Sequence, residues 1–413
     1  MNRGLSEMSA PCRSSSNETS CTSYPWFMAA TSAIRPFIPH TDPAVVDDLR
    51  RRLRTTRWTD APDGSGWSMG TDVSYVRDLA DYWRTDFDWA AIESTIAGLP
   101  HFTATIDGLD IHVIHSPASD PDAAFPVLLA HGWPDCFWRF LKVIPLLTDP
   151  AAHGAEPADA FTLIVPDMPG FGYSGHPSGP TPDTRDIARM WGQLMQVLGY
   201  DRYGVAGGDM GSHVARYLAL AHPARVVAVH RTDAGLPPAT IDRSTLSPEE
   251  IAWIDDAARW SATEGAYAAM HSTKPQTAAI GLADSPVGVA SWIVEKLRSW
   301  SDCDGDLDSI YTRDEILTLV TQYWVTNTIG SSIRTYRANA AIPVEDRMRY
   351  VDVPSGFSIF GGDVVRPPRA WLERTANTVY HSEPKHGGHF APFEVPESYA
   401  TELRTFFRPY RNA

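Results

Sequence analysis

Cysteine is scarce in this chain of 413 residues. Cys12 and Cys21 lie near the amino terminus, and Cys136 and Cys303 are far apart, with no metal-ligand spacing. The simplest interpretation is a reducing compartment, so we expect a cytoplasmic protein. Long apolar runs are also missing, because no stretch approaches the roughly 20 residues that a helix needs to cross a bilayer. The sequence therefore predicts no membrane span.

Positive charge is in deficit, because 35 lysines and arginines face 50 aspartates and glutamates and the net charge is −15. Nucleic acids and anionic membrane surfaces both require basic patches, so neither is an expected partner. A neutral small molecule is unaffected by this argument. Hydrophobic residues make up 43% of the chain and aromatic residues 11%, enough for a substantial core. We expect a soluble enzyme, and a homodimer is left open.

An acidic stretch, Asp302 to Asp308, resembles a calcium loop in its density of carboxylates. An EF-hand requires glycine at its sixth position and glutamate at its twelfth. Here glycine stands fourth, as Gly305, and the twelfth residue is Arg313. The stretch is therefore predicted to be an acidic solvated turn rather than a metal site.

Hydrophobic periodicity divides the chain into a helical beginning, an α/β core and a helical insertion. Amphipathic spacing at Val45, Val46, Leu49 and Leu53 indicates helix, and apolar runs alternating with helical stretches predict a mainly parallel sheet covered on both faces. The predicted segments are 1–28 as a disordered tail, 29–100 as an amino-terminal helical region, 101–236 as the first part of the core, 237–343 as a helical cap and 344–413 as the second part of the core.

The predicted sheet begins with a hairpin over residues 101–115, whose turn is Asp107-Gly108. Short apolar runs bounded by turn residues indicate the buried strands that follow. These are expected at residues 127–130 and 161–165, near Val205, and from about Gly356, where the sheet resumes after the insertion.

The stretch Gly207-Gly208-Asp209-Met210-Gly211 places a carboxylate between a predicted strand and a predicted helix. In the nucleophile elbow of α/β-hydrolases, small residues flank an exposed nucleophile at such a corner. A carboxylate there attacks a saturated carbon and forms an alkyl ester, whereas a serine attacks a carbonyl. The alternative is a glycine-rich turn in which Asp209 only caps the helix. The pattern favours a hydrolase with an aspartate nucleophile.

The loop His131-Gly132-Trp133-Pro134 follows the buried strand at 127–130. This fold places its second oxyanion donor on that loop, and the first donor on the residue after the nucleophile. The predicted donors are therefore the backbone N–H groups of Trp133 and Met210. A structural alternative makes His131 a loop hydrogen-bonding residue and Trp133 a core aromatic.

The remaining members of a triad are predicted near the carboxyl terminus. Asp363 follows a predicted strand at 356–360, where it can orient a histidine. Both His386 and His389 lie on the next loop, and histidine is the side chain best suited to general base catalysis near neutral pH. Spacing alone does not choose between them. The order nucleophile, acid, histidine is that of α/β-hydrolases.

Taken together, these motifs resemble those of the microsomal-type epoxide hydrolases, a family with soluble bacterial and fungal members. The resemblance spans roughly residues 34–407. The family pattern Gly-Gly-Asp-x-Gly matches at Asp209, and Gly-Gly-His-Phe matches at His389 rather than His386. Family-like text also occurs at residues 34–37, 49–58, 66–67, 82–84, 87–89, 284–288 and 292–296.

The resemblance implies an α/β-hydrolase fold with a helical cap and an amino-terminal helical extension. It also implies two catalytic cap tyrosines. Tyr267 lies in Gly-Ala-Tyr-Ala ahead of Ser-Thr-Lys-Pro, and Tyr336 lies in Arg-Thr-Tyr. From the residues alone, aromatics at helical spacing are expected to pack in a core. Many relatives carry tryptophan where this chain has Met210, but the implied role there is a backbone N–H.

The implied reaction converts an apolar epoxide and water to a vicinal diol, without a metal or an organic cofactor. Asp209 would attack an epoxide carbon while Tyr267 and Tyr336 hold and protonate the ring oxygen. His389, oriented by Asp363, would then activate water against the resulting hydroxyalkyl ester.

Three alternatives are weaker. A haloalkane dehalogenase also uses an elbow aspartate, but it needs N–H donors for halide, which the side chain of Met210 lacks. A serine esterase needs its nucleophile at the centre of the elbow, and Ser212 is off that position. A non-catalytic scaffold of the same fold is disfavoured because nucleophile, acid, base and both phenols are all retained.

Overall fold

The computed structural model describes residues 34–120, 124–238 and 241–411, so the predicted tail, 1–28, lies outside the described residues. Within them, nine strands form one sheet in the order β1-β2-β3-β5-β4-β6-β7-β8-β9. The strands are β1 (Ile34–Pro36), β2 (His101–Ile106), β3 (Leu109–Ser116), β4 (Phe125–Ala130), β5 (Phe161–Pro166), β6 (Tyr203–Gly207), β7 (Val226–Arg231), β8 (Val351–Ser358) and β9 (Ala376–Ser382).

The six strands from β4 to β9 are parallel to one another, and only β5 also has an antiparallel neighbour, β3, which confirms a mainly parallel sheet. Parallel strands bury both faces and therefore consist of nearly continuous apolar residues. In β4, Val127, Leu128 and Leu129 are fully buried. The carboxyl ends of β4, β6, β7, β8 and β9 meet at one edge of this sheet, where α/β proteins place their sites.

The predicted hairpin is confirmed, because β2 and β3 are antiparallel neighbours. Asp107 and Gly108 form its turn with φ angles of 51° and 79°, which suits aspartate and glycine. The segment predicted to be helical from its start begins instead with β1, which pairs with β2. Three residues ending in Pro36 are too short to show a period, so hydrophobic patterning could not reveal this edge strand.

The first two helices after β1 are capped by aspartate side chains. Asp42 accepts a hydrogen bond from the N–H of Ala44, and Asp72 from that of Ser74. The helices of the chain are α1 (Pro43–Arg54), α2 (Val73–Thr85), α3 (Trp89–Ala97), α4 (Val143–Thr148), α5 (Thr184–Val197), α6 (Met210–Ala221), α7 (Pro248–Glu264), α8 (Ala266–Thr273), α9 (Pro275–Asp284), α10 (Pro286–Trp300), α11 (Arg313–Val325), α12 (Ile329–Ala340), α13 (Val344–Arg347), α14 (Arg369–Thr375), α15 (Ala391–Glu394) and α16 (Pro396–Phe407).

Helices α7 to α12 separate β7 from β8 and form the cap. Ser247 and Glu250 build a capping box at the start of α7, and Thr312 and Glu315 build another at the start of α11. No single helix in the described ranges is long and apolar enough to cross a membrane. Helices α9 and α10, which are bent relative to each other, are long and apolar enough only when they are taken together, and by length and composition alone.

The sheet resumes after the cap earlier than predicted, because β8 begins at Val351 rather than near Gly356. Pro354 lies inside this strand and has no N–H to donate. The pairing of β8 with β9 shifts register between Val351 and Ser355, around that proline. The sequence pattern therefore concealed the first half of the strand.

Candidate active site

Asp209 occupies the corner between β6, which ends at Gly207, and α6, which begins at Met210. Its backbone has φ 56° and ψ −129°, a strained conformation for an aspartate. The corner depends on its glycines, because a Cβ on Gly207 would meet the backbone of Gly211. Strand and helix therefore approach too closely for larger side chains, and Asp209 is left pointing into the cavity above the sheet.

The carboxylate of Asp209 faces backbone donors. The N–H of Trp133 donates to Oδ1 at 2.9 Å. Burial opposes ionisation of this carboxyl, but His389 and the N–H groups of Met210 and Trp133 together hold its pKa below the usual value. The predicted oxyanion donors thus both bind the Asp209 carboxylate, which is ionised at neutral pH.

His389 lies between two carboxylates. Its Nδ1 is 2.9 Å from Asp363 Oδ1, and its Nε2 is 3.3 Å from Asp209 Oδ2. Burial alone would lower the pKa of His389, but the two carboxylates outweigh it and raise the pKa to about 10. His386 is different, because its side chain is 87% exposed and lies beside Asp302 instead. The structure thus brings Asp209, Asp363 and His389 together and leaves His386 outside.

The two cap tyrosines face the triad. The ring of Tyr267 stacks on Trp133 at 5.5 Å, and the ring of Tyr336 meets the same indole edge-on at 5.8 Å. The two phenols hydrogen-bond to each other, and burial together with the charge of Asp209 raises the pKa of each. Both phenols therefore stay protonated at neutral pH and can donate a hydrogen bond.

Asp209, His389 and both tyrosines line one cavity of about 730 Å³, which is large enough for a small organic substrate. Further apolar lining comes from Trp260, Leu236 and Trp371. Across residues 34–120, 124–238 and 241–411, no group of three His, Cys, Asp or Glu side chains is arranged to hold a metal ion.

Comparison with known proteins places this geometry in a family. A family model described as the epoxide hydrolase N terminus matches residues 34–140, and one described as the alpha/beta hydrolase fold matches residues 126–271. A Stigmatella aurantiaca protein assigned an epoxide hydrolase name is 40% identical over 379 residues, covering 92% of this chain and 86% of the relative. The chain belongs to the epoxide hydrolase family.

Two further relatives show how much of the chain the family covers. Epoxide hydrolase 1 of Sus scrofa is 34% identical, and the match covers 92% of this chain and 89% of the relative. The solved structure of Aspergillus niger epoxide hydrolase is 31% identical, with a TM-score of 0.81, and covers 92% of this chain and 98% of that chain. The epoxide hydrolase family resemblance and the α/β-hydrolase fold expected from sequence are both confirmed.

Asp233 is a site residue that the sequence motifs missed. Its Oδ2 accepts the backbone N–H of Asp209 at 2.7 Å, and its Oδ1 accepts that of Gly235 at 2.9 Å. Burial raises the pKa of Asp233 to about 6, against the opposing charge of Arg231. Asp233 follows β7 by two residues, so the rule that sites gather at the carboxyl ends of parallel strands was the available signal.

Glu394 is a second missed residue and anchors the loop that carries His389. Its carboxylate accepts backbone N–H groups from Asp302 at 2.8 Å, Gly388 at 2.9 Å and Phe390 at 2.8 Å. Burial nevertheless raises its pKa to about 7. No local pattern marks Glu394, because its partners come from the cap and from its own loop.

Lys296 is a third missed residue and lies in the cap beside Tyr267. Only 6% of it is exposed, and its ammonium pairs with Glu295. The Lys296 Nζ sits 4.7 Å from the centre of the Tyr267 ring. A cation over an aromatic face is attracted to the ring, so Lys296 helps to fix the position of this phenol.

Proposed function

We propose that this member of the epoxide hydrolase family converts an apolar epoxide and water to a vicinal diol through a covalent hydroxyalkyl ester on Asp209. The observation that carries the proposal is that the two carboxylate oxygens of Asp209 have different surroundings. Oδ1 accepts the N–H of Trp133, whereas Oδ2 faces His389 and the cavity. One oxygen is thus held by the protein and the other is available to attack.

In the first step, Asp209 Oδ2 forms a bond to one epoxide carbon as the bond from that carbon to the ring oxygen breaks. The electron pair goes to the ring oxygen, which receives a proton from Tyr267 or Tyr336. Both phenols line the cavity with Asp209, and their raised pKa values keep them protonated beforehand. An alkoxide is a poor leaving group unless it is protonated, which is why the reaction needs such donors.

In the second step, His389 removes a proton from water, and the water oxygen adds to the ester carbonyl carbon of Asp209. The negative charge moves to Oδ1, where the N–H of Trp133 is already placed, and the N–H of Met210 also bonds this carboxyl group. The bond between that carbon and the alkyl oxygen then breaks, and the departing diol oxygen takes the proton that His389 removed from water. The carboxylic acid left on Asp209 gives its proton to His389, which regenerates the carboxylate and the imidazolium. Asp363 holds the imidazole in position through Nδ1.

His389 has two charge states in this scheme. In the free enzyme it is flanked by Asp209 and Asp363, and these carboxylates favour the imidazolium. Esterification removes the negative charge of Asp209, so the pKa of His389 falls and its extra proton is released to restore the phenol that was deprotonated in the first step. The first step thereby prepares the second.

The proposal extends to the setting of the enzyme. We infer a cytoplasmic enzyme without nucleic-acid partners, supported by the few cysteines and by the net charge of −15. The homodimer considered from the sequence remains part of this proposal.

A single turnover in ¹⁸O-water, with enzyme in excess over a neutral epoxide such as styrene oxide, tests the covalent route. Direct attack transfers an unlabelled oxygen of Asp209 to the diol, so the first diol should be unlabelled and the peptide containing Asp209 should carry the label. Labelled diol with an unlabelled peptide would instead mean that Asp209 activates water as a general base. A multiple-turnover reaction is the control, because label then reaches the diol by either route.

A further inference from the structure

We propose that the substrate of this cavity carries an anionic group at one end, bound in a branch of the cavity lined by Arg216, Arg231 and Arg347. This set is called the arginine branch. The inference rests on the proposed function and specifies its substrate: an epoxide with an apolar body and a carboxylate or phosphate at a distance from the ring. All three arginines line the same cavity as Asp209 and the cap tyrosines.

Arg231 forms the inner part of the arginine branch. It is the last residue of β7 and is only 2% exposed. Its Nε donates to Ser212 Oγ at 2.9 Å, whereas its Nη1 has no hydrogen-bond partner. A buried guanidinium donor without a partner is costly, since unpaired buried polar groups are rare in folded proteins. An anionic ligand in this branch would satisfy the charge.

Arg216 and Arg347 donate their hydrogen bonds to neutral acceptors. Arg216 donates to the backbone carbonyls of Asp346 and Arg349, and Arg347 donates to those of Ile342, Asn339 and Ala340. These bonds fix the guanidinium groups without neutralising them. Arg216 is buried and Arg347 is exposed, so the arginine branch leads from the interior to the protein surface.

None of the three guanidinium groups lies within 4.0 Å of a carboxylate oxygen belonging to the described part of the chain. The nearby carboxylates are engaged elsewhere. Asp346 pairs with Arg185 at 2.6 Å, and Asp233 accepts the N–H groups of Asp209 and Gly235. The charge of Asp233 does act on the pKa of Arg231, but the two side chains form no salt bridge.

The three guanidinium groups all act on one further side chain of the cavity, His213. It lines the same cavity one helical turn after Asp209. Burial lowers its pKa to about 3, and the charges of Arg231, Arg216 and Arg347 all act in the same direction, opposed by Asp209. All three arginines are therefore near enough to His213 to influence its proton, and the imidazole stays neutral beside them.

The apolar part of the cavity wall suits the apolar body of such a substrate. Trp260, Leu236 and Trp371 supply apolar surface in the same cavity, whose volume of about 730 Å³ far exceeds that of an epoxide ring. An arginine guanidinium matches carboxylate and phosphate oxygens in geometry as well as in charge. A carbon chain could therefore rest on the apolar wall with its anionic end against the arginine branch.

The test uses three terminal epoxides with the same carbon chain, ending in a carboxylate, a phosphate monoester or a methyl ester. For the wild-type enzyme at low salt, kcat/KM should be about tenfold higher for an anionic substrate than for the ester. Added salt should reduce that ratio, because it screens the charges at the open end of the branch. The two anionic substrates separate a carboxylate from a phosphate specificity.

Arg347→Gln is the informative variant, because Arg347 is the exposed member of the arginine branch, and a circular dichroism spectrum like that of the wild type confirms its fold. This substitution should lower the ratio of kcat/KM for the anionic substrate to kcat/KM for the ester at least about threefold. Arg202→Gln is the charge-matched control, since Arg202 is exposed and does not line the cavity, and it should leave the ratio unchanged. Equal or faster turnover of the ester by the wild type, or a ratio unaffected by Arg347→Gln, overturns the inference. Failure to hydrolyse any of the epoxides would instead count against the proposed function.

Discussion

The backbone N–H of Asp209 donates a hydrogen bond of 2.7 Å to the carboxylate of Asp233. The proposed nucleophile is therefore held at its backbone by a second acid, 24 positions later, that follows the neighbouring strand β7. This bond lies at the residue with the positive φ angle of 56°. Because such a conformation is unfavourable for aspartate, the surrounding contacts must stabilise it, and Asp233 provides the most direct of them.

We expect Asp233→Asn to weaken both the elbow and the reaction. An amide offers one acceptor oxygen where the carboxylate offers two, so the N–H of Asp209 or Gly235 loses its partner, at a cost of about 1–3 kcal/mol in the free energy of unfolding. The alkylation rate, measured by stopped-flow with excess epoxide, should fall by about tenfold or more, because small displacements of reacting groups are costly. Asp159→Asn is the control, since Asp159 is also buried but pairs with Arg408 instead.

The effect of Asp233→Asn on stability should also depend on pH. The folded-state pKa of Asp233 is about 6, above its unfolded value, so the folded protein binds this proton more tightly. Its contribution to stability is complete below about pH 4 and is lost as the pH rises through about 6. The stability difference between wild type and Asp233→Asn, from urea titrations, should therefore narrow over this window. A difference that is constant from pH 4 to 7 would contradict the raised pKa.

Replacing the base should trap the ester. In His389→Gln, Asp209 can still attack, but water is no longer activated, so the alkylated enzyme should accumulate. Intact mass spectrometry would detect a mass increase equal to that of the epoxide. His386→Gln is the matched control, and this exposed residue should turn over substrate like the wild type. Accumulation in His386→Gln, with normal turnover in His389→Gln, would reverse the assignment.

The cap tyrosines should affect the first step alone. Tyr267→Phe and Tyr336→Phe should each slow alkylation, and the double variant should nearly abolish it, because general acid assistance is typically worth about 10²–10⁴-fold. Tyr311→Phe is the control, since Tyr311 is a buried tyrosine whose hydroxyl contacts Ser301 outside the cavity. Wild-type alkylation by the double variant would mean that the two tyrosines only pack.

The parts of the site that the sequence predicted are those encoded by short contiguous motifs. The glycines around Asp209 are required by a close approach between neighbouring residues, so they appear as one pattern. His389 also has its glycines beside it, although the choice over His386 needed the family resemblance. The hairpin turn at Asp107 and Gly108 was predictable for the same reason, since its geometry is local.

What the sequence did not reveal depends on contacts between distant segments. Glu394 binds a backbone N–H of Asp302, 92 positions away, and no local spacing indicates such a contact. Strand β1 exists because it pairs with β2, not because its three residues favour extended structure. The charge of the arginine branch is equally invisible in a chain of net charge −15, because only the fold shows which arginines lack acidic partners.

The attachment of the loop that carries His389 to the cap has a consequence for chimeric enzymes. The N–H of His389 donates to the carbonyl of Trp300, and Asp302 exchanges hydrogen bonds with Glu394 and Gly387 across the same boundary. Cap helices transplanted between relatives, by recombination or in the laboratory, would bring a foreign partner to this loop. A chimeric enzyme should therefore be active when residues 300–302 and 386–394 come from the same parent, and inactive when they come from different parents.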